Sequence, residues 1–277
     1  MNGCNYAGEF HIELEKRENV TVISKKYFNG LVKVSPTIHL DKEKISTYFI
    51  LGLGGGYVEG EKYRNSVYLK EDARAIVTTQ AATKVYKCLK GYKTEQETDI
   101  KLEKGSVLEY IMDSVILYRD AEYKQKNNIY LTSSSTLIYS DAITSGWSPE
   151  GDKFQYNNLQ LSTKIYVDNR LVLLDNLLIN PKEDDVTGLG YFEGYENLGT
   201  LIVIDYRISK EVIDLLRMKL KELELPISYG ISLLEENGFV LRVLGNLTQN
   251  IECAINACHN YIRKMLLNSG DLVIRKY

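Results

Sequence analysis

Five glycines between positions 52 and 60 form the first pattern in this sequence that could do chemistry. They are Gly52, Gly54, Gly55, Gly56 and Gly60, in the segment LGLGGGYVEGEKY. Bare backbone amides of this kind can cradle a phosphate group. A dinucleotide fingerprint, however, needs a glycine three positions after Gly54, where Tyr57 stands, and a P-loop needs a Gly-Lys-Ser/Thr end that the sequence lacks. The cluster is therefore interpreted as a tight turn or bulge that lets two backbone segments approach closely.

The three histidines are the next candidates, because imidazole is a ligand for nickel and zinc. His11, His39 and His259 lie far apart in the sequence, and no His-x-His or His-Glu-x-x-His pair gives the spacing of a tight site. Cys253 precedes the pair Cys258-His259 on a predicted helix, but these spacings do not share one helix face. The sequence therefore predicts packing roles for these side chains and no tight metal site.

Carboxylates interrupt otherwise apolar, strand-like segments at Asp113, Asp141 and Asp175, and Glu61 follows the glycine turn. Two interpretations stay open. Charged groups are rarely buried alone, which favours strand ends or solvent-facing positions. Alternatively the carboxylates line a water-filled passage, because a buried carboxylate needs partners, water or a cation. Two of them could also serve as the acid and base of a β-rich glycoside hydrolase, and this function, or a carbohydrate-binding module, is kept as the rival.

The elements that must position these residues are mostly short strands. From about residue 20 to about residue 178, β-branched and aromatic runs alternate with turn signals. The clearest hairpin turns at Asp168-Asn169, where both residue types tolerate positive φ. A second hairpin turns at Asn237-Gly238. The 21 tyrosines also favour strands that have one dry and one wet face.

Two segments in the C-terminal half have helical periodicity instead. Ser209 is the predicted N-cap of the first, and the second is predicted to begin with Thr248 as N-cap and to stop at Gly270. The apolar stripe of the second helix consists of Ile251, Ile255, Cys258, Ile262 and Leu266. The predicted fold is mainly β, an antiparallel-rich sandwich or β-helical-like domain with two α-helices in its C-terminal half.

Length, charge and cysteine usage narrow the function classes. With 277 residues, 44% of them hydrophobic, the chain can bury a large core, and without a linker-like segment it is predicted to form a single domain over residues 1–277. A net charge of −3 gives no reason to expect a nucleic-acid partner. We also expect no membrane span, since the apolar runs are short. Scattered cysteines and the absence of a leader predict a cytoplasmic protein without disulfides.

Two segments carry a resemblance to a known family. A glycine turn in GGGYVEGEKYRNSVYL is followed about twenty residues later by TTQAATKVY. This pairing closely resembles the signature of the UreD/UreH family of urease accessory proteins. The similarity continues through GSVLEYIMDSVILYRDAEYKQ, DAITSGW and GYFEGYENLGTLIV, and so covers almost the whole chain. The signature positions are Gly55, Gly56, Gly60, Thr79, Gln80, Lys84 and Tyr86.

The resemblance implies a non-enzymatic scaffold or chaperone for the GTP-dependent insertion of nickel into the urease apoprotein. The implied partners are a UreF-like helical accessory protein, a UreG-like GTPase and the apoprotein itself. No tightly bound cofactor is expected, because nickel would be cargo in transit through an internal polar passage. A transit path must bind its ion weakly at several points, and oxygen ligands suit this better than a His/Cys cluster. The positions similar to the passage of the family are Glu61, Thr83, Asp141 and Asp175.

The missing P-loop and the missing Gly-x-Ser-x-Gly nucleophile motif generate the first testable prediction. We expect the purified chain to hydrolyse neither GTP nor urea. Release of phosphate and of ammonia, each measured beside a mock purification, checks this expectation. Turnover above the mock level would contradict a scaffold role.

Overall fold

The protein is built on two stacked β-sheets, with helices packed against one of them. The computed structural model describes residues 6–236 and 238–274. Within these residues the chain is mainly β and has its two α-helices in the C-terminal half, which confirms the predicted class.

The two sheets have seven and ten strands, counted over the described residues. Sheet A has seven strands: β14 (Arg170–Ile179), β13 (Asn158–Val167), β11 (Glu122–Leu131), β9 (Thr94–Leu102), β6 (Lys62–Leu69), β1 (Gly8–Arg17) and β2 (Val20–Gly30). Sheet B runs through β16 (Ile227–Leu233), β17 (Gly238–Gly245), β15 (Asn197–Ile204), β12 (Thr136–Thr144), β10 (Val107–Leu117), β7 (Arg74–Thr79), β5 (Ser46–Gly52) and β3 (Val32–Val34). Two short strands join it from the side, β4 (Ile38–His39) on β5 and β8 (Thr83–Val85) on β10.

The chain winds between the sheets as a solenoid. It passes from β6 to β7, from β9 to β10 and from β11 to β12, and so alternates between sheets A and B. Each returning strand runs in the same direction as the strand before it in its sheet. Strands β6, β9, β11 and β13 therefore pair in parallel, and so do β5, β7, β10 and β12.

Of the two predicted arrangements, sandwich and β-helical-like domain, this winding agrees with the β-helical one. The expectation of antiparallel-rich pairing was wrong for the centre of both sheets. Antiparallel pairs occur towards the edges, as in β1 with β2, β13 with β14, and β17 with β15 and β16. Hairpins leave a local turn signal in the sequence, whereas parallel pairing joins strands that are distant along the chain and leaves none.

Both predicted hairpins are present. Asp168 and Asn169 connect β13 to β14 with φ angles of 46° and 67°, which confirms the positive-φ turn. Strands β16 and β17 also form an antiparallel hairpin, and Gly238 is the first residue of β17. Asn237, the other residue of the predicted turn, lies outside the described residues.

The buried apolar side chains form three clusters, and alternation along the strands decides which face of a sheet each side chain joins. Inward-facing residues such as Tyr48, Val67 and Ile129 pack between the sheets. Outward-facing residues of sheet B, among them Leu201 and Phe239, pack against the helices. A further cluster, which includes Val115, Tyr123 and Leu159, packs towards the opposite end of the strands. The polar part of the space between the sheets therefore lies between two apolar clusters.

The helices α1 (Lys210–Glu222) and α2 (Thr248–Leu267) cover the outer face of sheet B. The predicted apolar stripe of α2 is buried, as are further residues on that face, and this confirms its amphipathic pattern.

The helix ends were predicted less accurately than the helix faces. Ser209 is the N-cap of α1, as predicted. For α2, Leu247 is the N-cap and Thr248 is already helical, and Asn268 ends the helix with a left-handed φ of 53°. The predicted cap Thr248 and stop Gly270 were therefore displaced by one and two residues. Asn tolerates the left-handed conformation, so the helix can end before the glycine.

A buried ionic cluster ties α2 to sheet B. The guanidinium of Arg263 donates to Glu109 on β10 at 2.5 Å and to Asp41 at 2.6 Å. Nε2 of His259, one helical turn earlier, lies 2.8 Å from the same Glu109 carboxylate, and Arg74 approaches it at 3.4 Å. His259 is therefore a buried structural residue, and its partner Glu109 comes from a strand that the helix periodicity could not reveal.

The cluster keeps Glu109 ionised. Burial raises the pKa of this carboxyl group, but the hydrogen bond from His259 and the charges of Arg263 and Arg74 outweigh burial and lower the pKa to about 2. A depressed pKa contributes stability above the ordinary value of 4.5, and that contribution is lost as the pH falls towards about 2. Strand β10, which also lines the space between the sheets, is thus held firmly over the neutral pH range.

Replacing Arg263 with Met should destabilise the fold by about 3 to 5 kcal/mol, because two buried carboxylates lose a partner. Lys264→Met is the matched control, since the neighbouring Lys264 pairs with Asp271 at 2.8 Å in a pair that is more than half exposed, and it should change stability by less than about 1 kcal/mol. Urea unfolding at neutral pH measures both. Equal losses for the two variants would show that the buried cluster does not anchor α2.

Candidate functional site

A cavity of about 350 Å³ lies between the two sheets. Its wall includes polar side chains from sheet A, aromatic residues from sheet B and the backbone of the glycine turn. The exposed residues Gly54, Gly55, Gln80 and Ala81 stand on its rim. The cavity thus opens to solvent between the glycine turn and the segment Thr79–Lys84.

The two signature segments form this mouth together. The Tyr57 amide donates to the Lys84 carbonyl at 2.8 Å, and the Tyr86 amide donates back to Tyr57 at 2.9 Å. The Tyr86 hydroxyl also donates to the carbonyl of Gly55 at 2.8 Å. A side chain at Gly56 would place its Cβ 2.7 Å from the Lys84 carbonyl oxygen. This close approach confirms the interpretation of the glycine cluster as a tight turn.

Glu61 fixes the far side of this turn. Its carboxylate accepts hydrogen bonds from the Val58 amide at 2.7 Å and from the Tyr63 hydroxyl at 2.6 Å. Gly60, just before it, has a φ of 77°, which a residue with a side chain rarely adopts. Tyr63 lines the cavity, whereas Glu61 is not among the described residues of its wall. Glu61 therefore shapes the cavity indirectly, by holding the Tyr63 hydroxyl and the turn in place.

A row of polar side chains crosses sheet A along the axis of the solenoid. It consists of one residue from each of five neighbouring strands, Asn65, Thr98, Asn127, Thr163 and Asp175. We call this set the axial row. Neighbouring strands lie about 4.8 Å apart, so the row extends over roughly 19 Å. Its first three members line the cavity and its last two line an adjacent recess.

The axial row lies next to a dry row. Two residues further along the same strands, the in-register positions are Val67, Ile100, Ile129 and Ile165. All four are buried in the core between the sheets. The boundary between the polar and the apolar interior therefore runs along the solenoid axis, parallel to the stacking direction.

Asp141 faces the axial row from sheet B. It accepts a hydrogen bond from the Tyr139 hydroxyl at 2.6 Å, and that hydroxyl accepts one from the Asn127 amide at 2.9 Å. The Asn127 amide also donates to Thr163 at 3.0 Å. Burial raises the pKa of Asp141 to about 6, helped by the nearby charge of Asp175 and opposed by the Tyr139 hydrogen bond and the Arg242 charge. Asp141 thus exchanges its proton close to neutral pH.

Beyond Asp141 lies a recess of about 30 Å³. Asp141 lines both the cavity and this recess, and Asp175 and Arg242 stand at its other side. The Arg242 guanidinium on β17 donates to the Asp175 carboxylate on β14. The cavity, the recess and the ion pair follow one another in a line, so the polar interior reaches from the glycine turn to the edge strand of sheet A.

The structure brings together three of the four predicted passage residues. Thr83 and Asp141 line the cavity, and Asp175 lines the recess. The signature residues Thr79, Gln80 and Lys84 also line the cavity. Asp113 lines it as well, and accepts a hydrogen bond from Thr79 at 3.1 Å. The sequence interpretation did not include the following wall residues: Asn65, Thr98, Asn127, Thr163 and Arg242.

The missed residues share one sequence signal. Each of Asn65, Thr98 and Asn127 is a polar residue at an inward position of a strand, two places before a β-branched residue of the dry row. This signal becomes readable only when the parallel register is known, because the strands are about 30 residues apart in sequence.

The recess excludes one carboxylate pair, Asp141 with Asp175, from the glycoside hydrolase alternative. A glycoside hydrolase needs its two carboxyl groups on either side of a bound sugar. Asp141 and Asp175 instead border a recess of about 30 Å³, which has room for about one water molecule. A sugar ring does not fit between them.

Other chemistry-bearing residues are dispersed. Nowhere in residues 6–236 and 238–274 do three or more His, Cys, Asp or Glu side chains form a group that could hold a metal ion. Cys88, Cys253 and Cys258 are free thiols, and Cys4 lies outside the described residues. Neither α1 nor α2, the helices of the described part, is long and apolar enough to cross a membrane.

Comparison with known proteins gives a consistent result over almost the full length. The family model described as UreD urease accessory protein matches residues 6–276. A protein named urease accessory protein UreD from Lachnoclostridium phytofermentans is 36% identical over 273 residues, covering 99% of both chains. Proteins with the same name are 38% identical in Ureaplasma parvum, covering 98% of this chain and 96% of the relative, and 40% identical in Streptococcus thermophilus, covering 98% and 97%.

The raised pKa of Asp141 generates a prediction about stability. In the folded protein the pKa of Asp141 is about 6, above its ordinary value of 3.8, so the protonated side chain stabilises the folded state. This contribution to stability is fully present below pH 3.8 and is lost as the pH rises through about 6. Asp141→Asn keeps the shape and removes the titration. Between about pH 4 and about pH 8, the free energy of unfolding of the wild type should therefore fall by about 2 to 3 kcal/mol relative to that of this variant.

Urea unfolding of both proteins at several pH values measures this difference. Asp99→Asn controls for the substitution itself, because Asp99 lies on the outer face of sheet A beside Arg64. Parallel stability profiles for wild type and Asp141→Asn would show that Asp141 is not held in an environment that favours its neutral form.

Proposed function

The chain belongs to the UreD family of urease accessory proteins, and we propose that it is a non-enzymatic scaffold for the GTP-dependent insertion of nickel into the urease apoprotein. In this proposal the whole chain acts as one domain in the cytoplasm. The nickel ion is its cargo and passes through the polar interior between the sheets. The observation that carries the proposal is the continuous line of polar groups from the glycine turn to Asp175.

The chemistry of the axial row suits an ion in transit. Its members offer amide, hydroxyl and carboxylate oxygens, and Asp141 adds a carboxylate from the other sheet. Nickel binds nitrogen and sulfur ligands more tightly than these oxygens, so such a wall holds it weakly at each step. A path with several weak sites permits both entry and release, as in ion channels.

One wall atom supports the presence of water or ions in the cavity. Asn65 is buried, with 4% of its surface exposed, and its side-chain oxygen has no hydrogen-bond partner among the described residues. Buried polar atoms are rarely left without a partner. In a cavity of about 350 Å³ with several polar side chains in its wall, water molecules or a hydrated cation can supply it.

The two ends of the passage are flanked by apolar side chains that are half exposed. Leu53 and Val58 stand beside the mouth, and Leu171, Leu174 and Leu178 lie on edge strand β14 beside Asp175. Exposed apolar patches of this kind are typical of surfaces that a partner covers. We propose that a UreG-like GTPase, a UreF-like helical protein and the urease apoprotein are the partners, since this chain has no P-loop with which to use GTP itself.

Carboxylates in the passage should affect nickel delivery without affecting assembly. Asp141→Leu and Asp175→Leu each remove an oxygen ligand and narrow the passage with an apolar group. We expect both variants to join the accessory complex, and urease matured with them to contain less nickel and to have proportionately less activity. Co-purification measures assembly, and metal analysis of the matured urease measures delivery.

Asp99→Leu is the control, because its carboxylate lies outside the passage on the outer face of sheet A. Loss of the complex in both passage variants would indicate a structural role for the two aspartates. Full nickel loading by intact complexes would show that nickel does not take this path.

A further inference from the structure

The polar interior ends at an ion pair that joins the two sheets. Asp175 belongs to β14, the edge strand of sheet A, and Arg242 belongs to β17, next to the edge of sheet B. Their hydrogen bond crosses from one sheet to the other. The pair therefore spans the gap through which the interior would otherwise open on this side of the solenoid.

Two separate spaces meet at this pair. On the inner side is the recess of about 30 Å³ between Asp141 and Asp175. On the outer side, Asp175 and Arg242 line a surface groove together with Leu174 and Gly230. The recess has room for about one water molecule, or one ion that has lost most of its water. Such an occupant must pass the Asp175–Arg242 pair to leave on this side.

Arg242 opposes this step in two ways. Its positive charge repels a cation in the recess. Its hydrogen bond also occupies one oxygen of Asp175, which is the next carboxylate after Asp141. Thr200 on β15 is in register with Asp141 on β12 and with Arg242 on β17. Arg242 therefore lies two strands away from Asp141, at the same level of sheet B. While the pair is formed, one Asp175 oxygen is taken up by Arg242 and a positive charge stands beside the recess.

The pair is able to open. The Arg242 side chain is 52% exposed and that of Asp175 is 21% exposed. A partly exposed ion pair contributes little to stability, and a long basic side chain can turn its charged end towards water while its stem stays on apolar surface. Arg263 offers the contrast, since it is 0% exposed and would leave two buried carboxylates unpaired if it moved.

We propose that Arg242 is the latch at the β14 end of the passage. Paired with Asp175, it retains the cation in the interior. Turned outwards, it frees the Asp175 carboxylate to take the cation from Asp141 and joins the recess to the outer groove. This inference rests on the proposed function, because a latch requires a cation that passes, and it names the residue that controls release.

Leakage of nickel tests the latch. Arg242→Met removes the charge and keeps a long, unbranched side chain. The accessory complex that contains this variant is loaded with nickel ions and mixed with EDTA before apoprotein is added, and chelated nickel is followed over time. We expect release severalfold faster than from the wild-type complex. Adding Asp141→Leu to the variant should return the release to the wild-type rate, because the leak then has no route.

Arg64→Met is the matched control. Arg64 is likewise a strand arginine, 44% exposed, and it pairs with Asp99 at 3.4 Å on the outer face of sheet A. Its complex should release nickel as wild type does. If Arg242→Met prevents assembly, Arg242→Gln replaces it with the same expectation.

The outcomes separate the latch from the passage. One outcome overturns the latch and leaves the passage valid. In it, an assembled Arg242 variant releases nickel at the wild-type rate, and Asp141→Leu still delivers less nickel to urease. A leak that persists in the Arg242→Met, Asp141→Leu double variant also overturns it, because the nickel then escapes by another route. Wild-type delivery by Asp141→Leu alone contradicts the passage, and with it the premise of the latch.

Discussion

The in-register stacking of parallel strands is the constraint on which the interior of this protein depends. Once β6, β9, β11 and β13 pair in parallel, equivalent positions form rows that run along the solenoid axis. One row is polar, from Asn65 to Thr163, and the row two residues further on is apolar, from Val67 to Ile165. A slip of one residue in a single strand would turn its polar member to the outer face. The continuity of the polar row is therefore a property of the pairing and not of any single strand.

A polar row inside a protein is stable only if its groups have partners. Here the partners come largely from the opposite sheet, where Tyr139 links Asn127 to Asp141. Burial shifts the pKa of Asp141 upwards, whereas the cationic partners of Glu109 hold the pKa of that carboxyl group down. Two carboxylates on neighbouring strands of one sheet thus differ in protonation behaviour because one faces the cavity and the other faces basic residues of the helix layer.

The two faces of sheet B have different mechanical roles. The outer face carries the buried cluster around Arg263, which fixes α2 against β10 and so stiffens the strand that brings Tyr110 to the cavity. The inner face ends at Arg242, whose side chain is about half exposed while its partner Asp175 is mostly covered. Because Arg263 is fully buried, moving it would cost much free energy, whereas moving the partly exposed Arg242 costs little. The rigid part and the adjustable part of the site are therefore separated by one layer of sheet.

The sequence by itself determined the family, the mainly β class, the helix stripe of α2 and the turn at Asp168-Asn169, because motifs, periodicity and turn chemistry are local. It also pointed to Thr83, Asp141 and Asp175, through motif positions that line the cavity or the recess. Only the tertiary structure decided that the sheets wind as a parallel solenoid, that Asn65, Thr98 and Asn127 join the aspartates in one line, and that Arg242 pairs with Asp175 at its end. Parallel pairing brings together residues about 30 positions apart in the sequence, and its register is set by packing across the whole sheet, which no local pattern encodes.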